Sequence, residues 1–345
     1  MKFGFLVNRK FIDRSASDPY RKIYDVVSEM EDLGYDILYV GHHRFSPTTA
    51  FGGDVASEPA APLTMLSAML ARSRRMTMCT NIMLLPAHHP IDIAEQINTL
   101  NELSHNRFIL GAGIGYKPDE FETTGWSFKT RAKRFEECLE ILRLALCGEE
   151  FSYSGKHFQI PSCRIVPPPL AGHIPPLWVG AVSEPAMQRA GKFGDGWLIS
   201  FAEHLVELQD KIAHYKSIAA AHGRSSTVCL MRDLHIAPTK NDIDPNWLPN
   251  VIKVWQAYDD LGSKADRDEL SQQVMFGGRA VSLDEFAPNR AIVGDPEDCA
   301  REMQRIRDLI NPDYLLMTPT GVPDPEQQIR ELRLFAKTVM PQFRT

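Results

Sequence analysis

Several short stretches carry residue types from which an active site could be assembled. In "GHHRFSP", His42, His43 and Arg44 stand together. An unperturbed imidazole titrates near neutral pH and suits general acid or base work. Neighbouring side chains on a strand point to opposite faces, so one histidine of the pair, His43, is expected to enter the site. A structural histidine bonded to a backbone carbonyl is the competing reading. In "GAVSEPAMQRA", Ser183 stands where a helical pattern begins. Unpaired amides and the positive end of the helix dipole attract phosphate there, and the hydroxyl adds a donor. Plain helix capping by Ser183 is the alternative. Arg131 and Arg134 open another helical stretch, where they could grip an anion bidentately or simply lie in solvent.

In "RFILGAGIGY", Gly111, Gly113 and Gly115 alternate along a strand. Period-two glycines strip side chains from one face, so a flat ring or a neighbouring backbone can approach. Relief of crowding in a barrel interior would need the same pattern. The stretch lacks the short helix and acidic partner of a dinucleotide fingerprint. "NIMLLPAHHP" brings Asn81, Ile82, His88 and His89, and the two histidines before Pro90 read as loop packing. The paired histidines match no zinc spacing and point apart on a strand, so no metal is expected.

These residues need elements to position them, and the chain supplies an alternation of short apolar runs with amphipathic helical segments. Strands are expected at Phe3–Val7, "DILYVG", "MTMCTNIMLL", "RFILGAG", "PLWVGA", "GWLIS", "TVCLMRDLHIA" and "DYLLMT". Helices fall between them, the first over Tyr20–Leu33, with Ile23, Val26, Val27 and Met30 at helical spacing. Eight strands alternating with helices predict an α/β fold of the (β/α)₈ TIM-barrel kind. A doubly wound open sheet shares the local pattern but not the count. All 345 residues read as one barrel domain with two insertions. Residues 148–176 suggest a hairpin and extended arm. Residues 242–290, with helical patterns around Trp247–Leu261 and Lys264–Met275, suggest a lid-like insertion after strand seven. Such an insertion leaves from the C-terminal face of a barrel, where active sites form.

Composition narrows the function classes. A formal charge of −6 with no basic run argues against nucleic acid, and no window reaches the apolar length of a membrane span. Six cysteines without a CxxC pair speak against a disulfide framework or redox motif. A cytoplasmic enzyme is expected.

The segments "LGYDILYVGHHRF", "LLPAHHPIDIAEQINTLNELSHNRFILGAGIGYKPDEF", "PPLWVGAVSEPAMQRAGKFGDGWL" and "VGDPEDCAREMQRI...VMPQF" resemble, in this order, the bacterial-luciferase-like flavin-dependent monooxygenase family. The resemblance covers most of the chain and fails over 242–290. It implies a (β/α)₈ barrel that takes reduced FMN from a separate reductase and, with O₂, oxygenates a small organic substrate through a flavin peroxide. One large branch implies a deazaflavin coenzyme and hydride transfer instead, and a non-catalytic flavin-binding subunit is a third reading. On this resemblance His43 matches the active-site histidine and Ser183 the phosphate-loop serine, with Val182 and Glu184 offering amides. Arg131 or Arg134 matches a phosphate-assisting position. Asn81–Ile82 falls where the family often carries a non-prolyl cis peptide beneath the flavin ring, with Gly113 and Tyr116 beside it. Glu58, Phe201 and Arg290 fall at the substrate mouth or lid. The luciferase itself has a reactive cysteine where this chain has Gly113, which argues against aldehyde light emission. His42 stands where relatives often have an acid, and Glu58 where many have a neutral polar residue. Related barrels commonly pair, so a homodimer is expected.

Overall fold

The computed structural model describes residues 1–7, 9–13, 15–44, 61–263 and 267–344. Eight parallel strands close into a barrel: Lys2–Leu6, Ile37–Val40, Thr77–Thr80, Phe108–Gly113, Leu177–Gly180, Gly196–Ile199, Thr227–Ile236 and Tyr314–Thr318. They are strands one to eight below. Each pairs with the next, and strand eight pairs with strand one, which closes the ring. The (β/α)₈ expectation therefore holds.

Period-two alternation explains why these segments are strands buried on both faces. In strand two, Ile37 and Tyr39 enter the barrel interior with Cys79, Ile109, Trp178, Leu198, Cys229 and Leu316. Leu38 and Val40 face the surrounding helices and join the larger core between sheet and helices. The first helix, Arg21–Asp32, buries Ile23, Val26, Val27 and Met30 against that layer.

Three details differ from the sequence reading. "MTMCTNIMLL" is not one strand: it breaks at a cis peptide between Asn81 and Ile82, and Met83–Leu84 resumes pairing against Ala112 and Gly113. The run Ala291–Gly294 forms a further parallel strand against the outer half of strand seven, from Asp233 to Ile236. Four residues ending in glycine gave too short a pattern to register. The second helix of the long insertion begins at Glu269, capped by Asp268, rather than near 264. The insertion holds Trp247–Asp260, Glu269–Phe276 and Leu283–Phe286. Trp247, Val251, Trp255, Met275 and Phe286 form a second core with Ala202, Ala291 and Val322 of the barrel side. The shorter insertion contains the antiparallel pair Phe151–Ser154 and Gln159–Cys163.

The alternating glycines of strand four answer packing in the barrel wall. A Cβ on Gly111 would come within 1.9 Å of the Thr80 carbonyl oxygen, and one on Gly113 within 1.8 Å of Ile82 Cδ1. The Thr80 oxygen is backbone and cannot yield, whereas the Ile82 side chain can turn. Gly111→Ala is therefore expected to destabilise the barrel by about 2–3 kcal/mol, and Gly113→Ala by less. Urea unfolding checks this, and an unchanged midpoint for Gly111→Ala would refute the packing assignment.

Candidate active site

A cleft of about 540 Å³ opens at the C-terminal ends of the barrel strands. That is within the range that holds a cofactor-sized ligand. It has three walls with different chemistry.

The first wall comes from the turns after strands two and four. His43 Nδ1 lies 3.0 Å from Glu120 Oε1, and Nε2 lies 2.9 Å from the Tyr116 hydroxyl. Glu120 Oε1 also accepts the Arg44 amide at 2.9 Å, and Lys117 Nζ stands 3.9 Å away. Burial opposes ionisation of Glu120, yet the His43 bond and charge, the Arg44 amide and Lys117 together hold its carboxyl below the usual range. An ionised Glu120 fixes the proton on His43 Nδ1 and leaves Nε2 as the nitrogen that exchanges protons. Glu120 escaped the sequence reading, although its place four residues after Tyr116, at the start of the short helix Pro118–Glu122, was visible.

His42 lines the cleft too. The expectation that only one histidine would face it fails because strand two ends at Val40, and strand alternation no longer governs residues 41–43. Burial, then the neighbouring His88 and Arg44, push the His42 pKa down to about 3, so its ring is neutral. Its Nδ1 accepts the Leu84 amide. His88 packs beneath, taking a hydrogen bond from Arg44. Asn81 and Ile82 lie on the cleft floor.

The second wall is the start of the helix Glu184–Phe193. Ser183 occupies the cap position, and its side chain makes no capping bond to the first amides of the helix. Val182 and Ser183 line the cleft, joined by Arg131 and Arg189. Arg131 is oriented by bonds to the Gly115 and Phe128 carbonyls and lies 3.7 Å over the Phe128 ring. Burial, then the charge of Arg189, lowers its pKa, and Arg189 in turn pairs with Glu136 at 3.4 Å. Arg189 was missed from the sequence; Ala186 and Arg189, three apart, share the helix face that meets the cleft.

The third wall is apolar and aromatic. Phe201 and Met231 from the barrel meet Tyr258, Gly262, Ser263 and Arg267 from the long insertion. Tyr258 packs edge-on to both Tyr116 and Phe201, at 6.4 and 6.0 Å between centroids.

Other anticipated residues sit elsewhere. Arg134 is buried away from the cleft, donating to the Pro86 and His88 carbonyls and lying over the Trp126 and Phe158 rings. Arg290 is spent inside the insertion, paired with Asp268 and bonded to the Phe286 and Pro288 carbonyls. Gly113 stands behind Ile82 and does not border the cleft. The Glu184 carboxylate turns outward to Gln188 and His214. Glu58 lies outside the described residues. Among the described residues, no cluster of three or more potential ligands could hold a metal, and no helix is long and apolar enough to cross a membrane.

The cleft brings a helix start and two arginines together with a histidine bonded at both ring nitrogens, beside an aromatic wall. Comparisons with known proteins identify the family. The family model for luciferase-like monooxygenases matches residues 1–310. The 4-hydroxyprotoasukamycin monooxygenase of Streptomyces nodosus subsp. asukaensis is 25% identical over 91% of this chain and 84% of its own. The oxygenating constituent of 3,6-diketocamphane monooxygenase from Pseudomonas putida, solved in complex with FMN, superposes with a TM-score of 0.76 over 99% of this chain and 98% of that one, at 17% identity. An F420-dependent secondary alcohol dehydrogenase, in complex with an F420-acetone adduct, superposes at 0.77 over 100% and 99%, also at 17% identity. The chain belongs to the luciferase-like monooxygenase family, and it is an oxidoreductase of that family.

Proposed function

We propose that this enzyme is a monooxygenase that binds reduced FMN supplied by a separate reductase and oxygenates a small organic substrate with dioxygen. The observation that carries the reading is the meeting, in one cleft, of a phosphate-type cradle with the His43 group. The donor set fits a flavin mononucleotide: Ser183, Val182 and the helix amides, with Arg131 and Arg189, would hold the phosphate. Asn81, Ile82 and Tyr116 would flank the ring. Bound reduced flavin supplies the electrons that activate dioxygen.

The protein's own share is positional and protonic. The cradle fixes one end of the cofactor, and the aromatic wall of Phe201 and Tyr258 keeps water from the other. His43 handles protons at Nε2. We read residues 242–290 as a lid over the substrate end, with Tyr258 and Arg267 facing the substrate. Six cysteines with no disulfide among them suit a reducing cytoplasm, and the active form is proposed to be a homodimer.

The full-length superposition on the F420-dependent dehydrogenase favours a second reading, hydride transfer with a deazaflavin coenzyme. Anaerobic titration with reduced FMN and, separately, reduced deazaflavin coenzyme decides between them. FMN is expected to bind in the micromolar range or tighter, and binding of the deazaflavin alone would overturn the monooxygenase reading. Product analysis with a reductase, FMN and a substrate library then identifies what is oxygenated.

A further inference from the structure

We propose that the group presenting the proton to the reacting atoms is Tyr116, with His43 acting through it and Glu120 as the residue that positions and charges His43. This rests on the flavin-oxidoreductase reading of the cleft. The contacts run from Glu120 Oε1 to His43 Nδ1 at 3.0 Å, then from His43 Nε2 to the Tyr116 hydroxyl at 2.9 Å. A proton leaving Nε2 along this bond therefore reaches the phenol oxygen. Tyr116 borders the cleft and spans it, with its ring against His43 at 5.5 Å on one side and Tyr258 of the insertion on the other.

The proton transfers balance. In the protonating direction the Tyr116 O–H bond breaks as an oxygen in the cleft, of the substrate or of dioxygen being reduced, takes the proton. The Nε2–H bond of the His43 imidazolium breaks in turn and restores the phenol. His43 ends as neutral imidazole, and Glu120 remains a carboxylate throughout. Deprotonation of a substrate hydroxyl runs the same bonds backward. The arrangement serves either direction because both ends of the imidazole are hydrogen-bonded to defined partners.

Charges around His43 come from several elements. Glu120, fully buried, favours the imidazolium. Arg44 and Lys117 oppose it from the same side, and His42, with its pKa pushed to about 3, adds no charge at neutral pH. Of these groups, Glu120 holds a direct bond to the ring, so its removal should dominate.

Two measurements test the relay. In the first, ¹⁵N-histidine NMR follows the His43 titration in the flavin-free protein. Glu120→Gln is expected to lower the midpoint by at least about one pH unit, and Tyr116→Phe to move the Nε2 resonance. A Glu120→Gln midpoint equal to wild type, or an unmoved Nε2 signal in Tyr116→Phe, overturns the proposal. In the second, stopped flow follows reoxidation of bound reduced FMN by air-saturated buffer across pH. The wild-type rate is expected to inflect at the His43 midpoint seen by NMR. Tyr116→Phe should slow it at least about tenfold and remove the inflection, and a retained inflection overturns the proposal. If reduced FMN fails to bind at all, the proposed function fails, while the NMR outcomes still decide the relay.

Discussion

Arg131→Ala is expected to raise the Kd for FMN roughly 10- to 100-fold, the equivalent of losing one charge-assisted hydrogen bond to phosphate. Riboflavin has the same ring and no phosphate, so its affinity should change by less than about threefold. The ratio of the two is the proper readout, because Arg131 also anchors the Gly115 and Phe128 carbonyls and its loss will disturb the loop around both ligands. Lysine at 131 restores charge but not the planar fork, so it should recover only part of the loss. Arg134→Ala is the control: its guanidinium lies against both the Trp126 and Phe158 rings, and its removal should reduce stability while leaving the FMN-to-riboflavin ratio unchanged. Fluorescence titration of each protein with FMN and with riboflavin measures the affinities. Equal weakening of FMN and riboflavin by Arg131→Ala would remove the phosphate assignment.

The long insertion should be the weak point of the molecule, and Arg290 its keystone. Arg290 and Asp268 side chains are 8% and 9% exposed and joined by two hydrogen bonds, from Nε and Nη2 of one guanidinium edge to the two carboxylate oxygens. Removing one partner of such a pair strands the other charge, at about 3–5 kcal/mol. Arg290→Met is expected to show this loss locally, because Trp247, Trp255 and Phe286 belong to a cluster distinct from the main core, joined from the barrel side by Ala202, Ala291 and Val322. Amide exchange in Trp247–Asp260 and Glu269–Phe276 should accelerate while barrel strands stay protected. Uniform acceleration across the barrel would show that the insertion does not open on its own. Burial raises the Asp268 pKa, but the bonds from Arg290 and Ser271 outweigh it and hold the carboxyl at about 2. A carboxylate with a depressed folded pKa stabilises fully above its unfolded value and loses that contribution as pH falls through the folded one. The insertion should therefore loosen between about pH 4 and pH 2, and Arg290→Met should abolish that acid sensitivity.

Local patterning made the barrel legible. Strand two alternates Ile37 and Tyr39 inward with Leu38 and Val40 outward, and such short runs recur between helices at barrel spacing. The site was legible where a residue's role follows from an element end: His43 after strand two, Ser183 before its helix, Asn81–Ile82 at the break in strand three. It was obscure where long-range packing chooses between similar residues. Arg131 and Arg134 are three apart on one helix, and nothing local says that Trp126 and Phe158 will capture the second. Arg290 falls near the mouth in sequence, but its partner Asp268 lies 22 residues back inside the insertion. Glu120 and Arg189 had usable signals, the first in the short helix just after Tyr116 and the second at helical spacing from Ala186. The alternating glycines were read as clearance, and they are, but for Thr80 and Ile82 of the neighbouring strand.

Strand seven is ten residues long, and its two halves use the same edge differently: Thr227–Leu230 pairs with strand six, and Asp233–Ile236 with Ala291–Gly294. The chain thus leaves the sheet after Ile236 and rejoins it alongside the same half-strand, with Ala291 opposite Asp233. Everything from 237 to 290 is a cassette spliced between two neighbouring, hydrogen-bonded parallel strands. A roof of different length or composition can be exchanged there without altering the register of any barrel strand. The fold can thus change what it covers while leaving untouched the floor on which the chemistry is done.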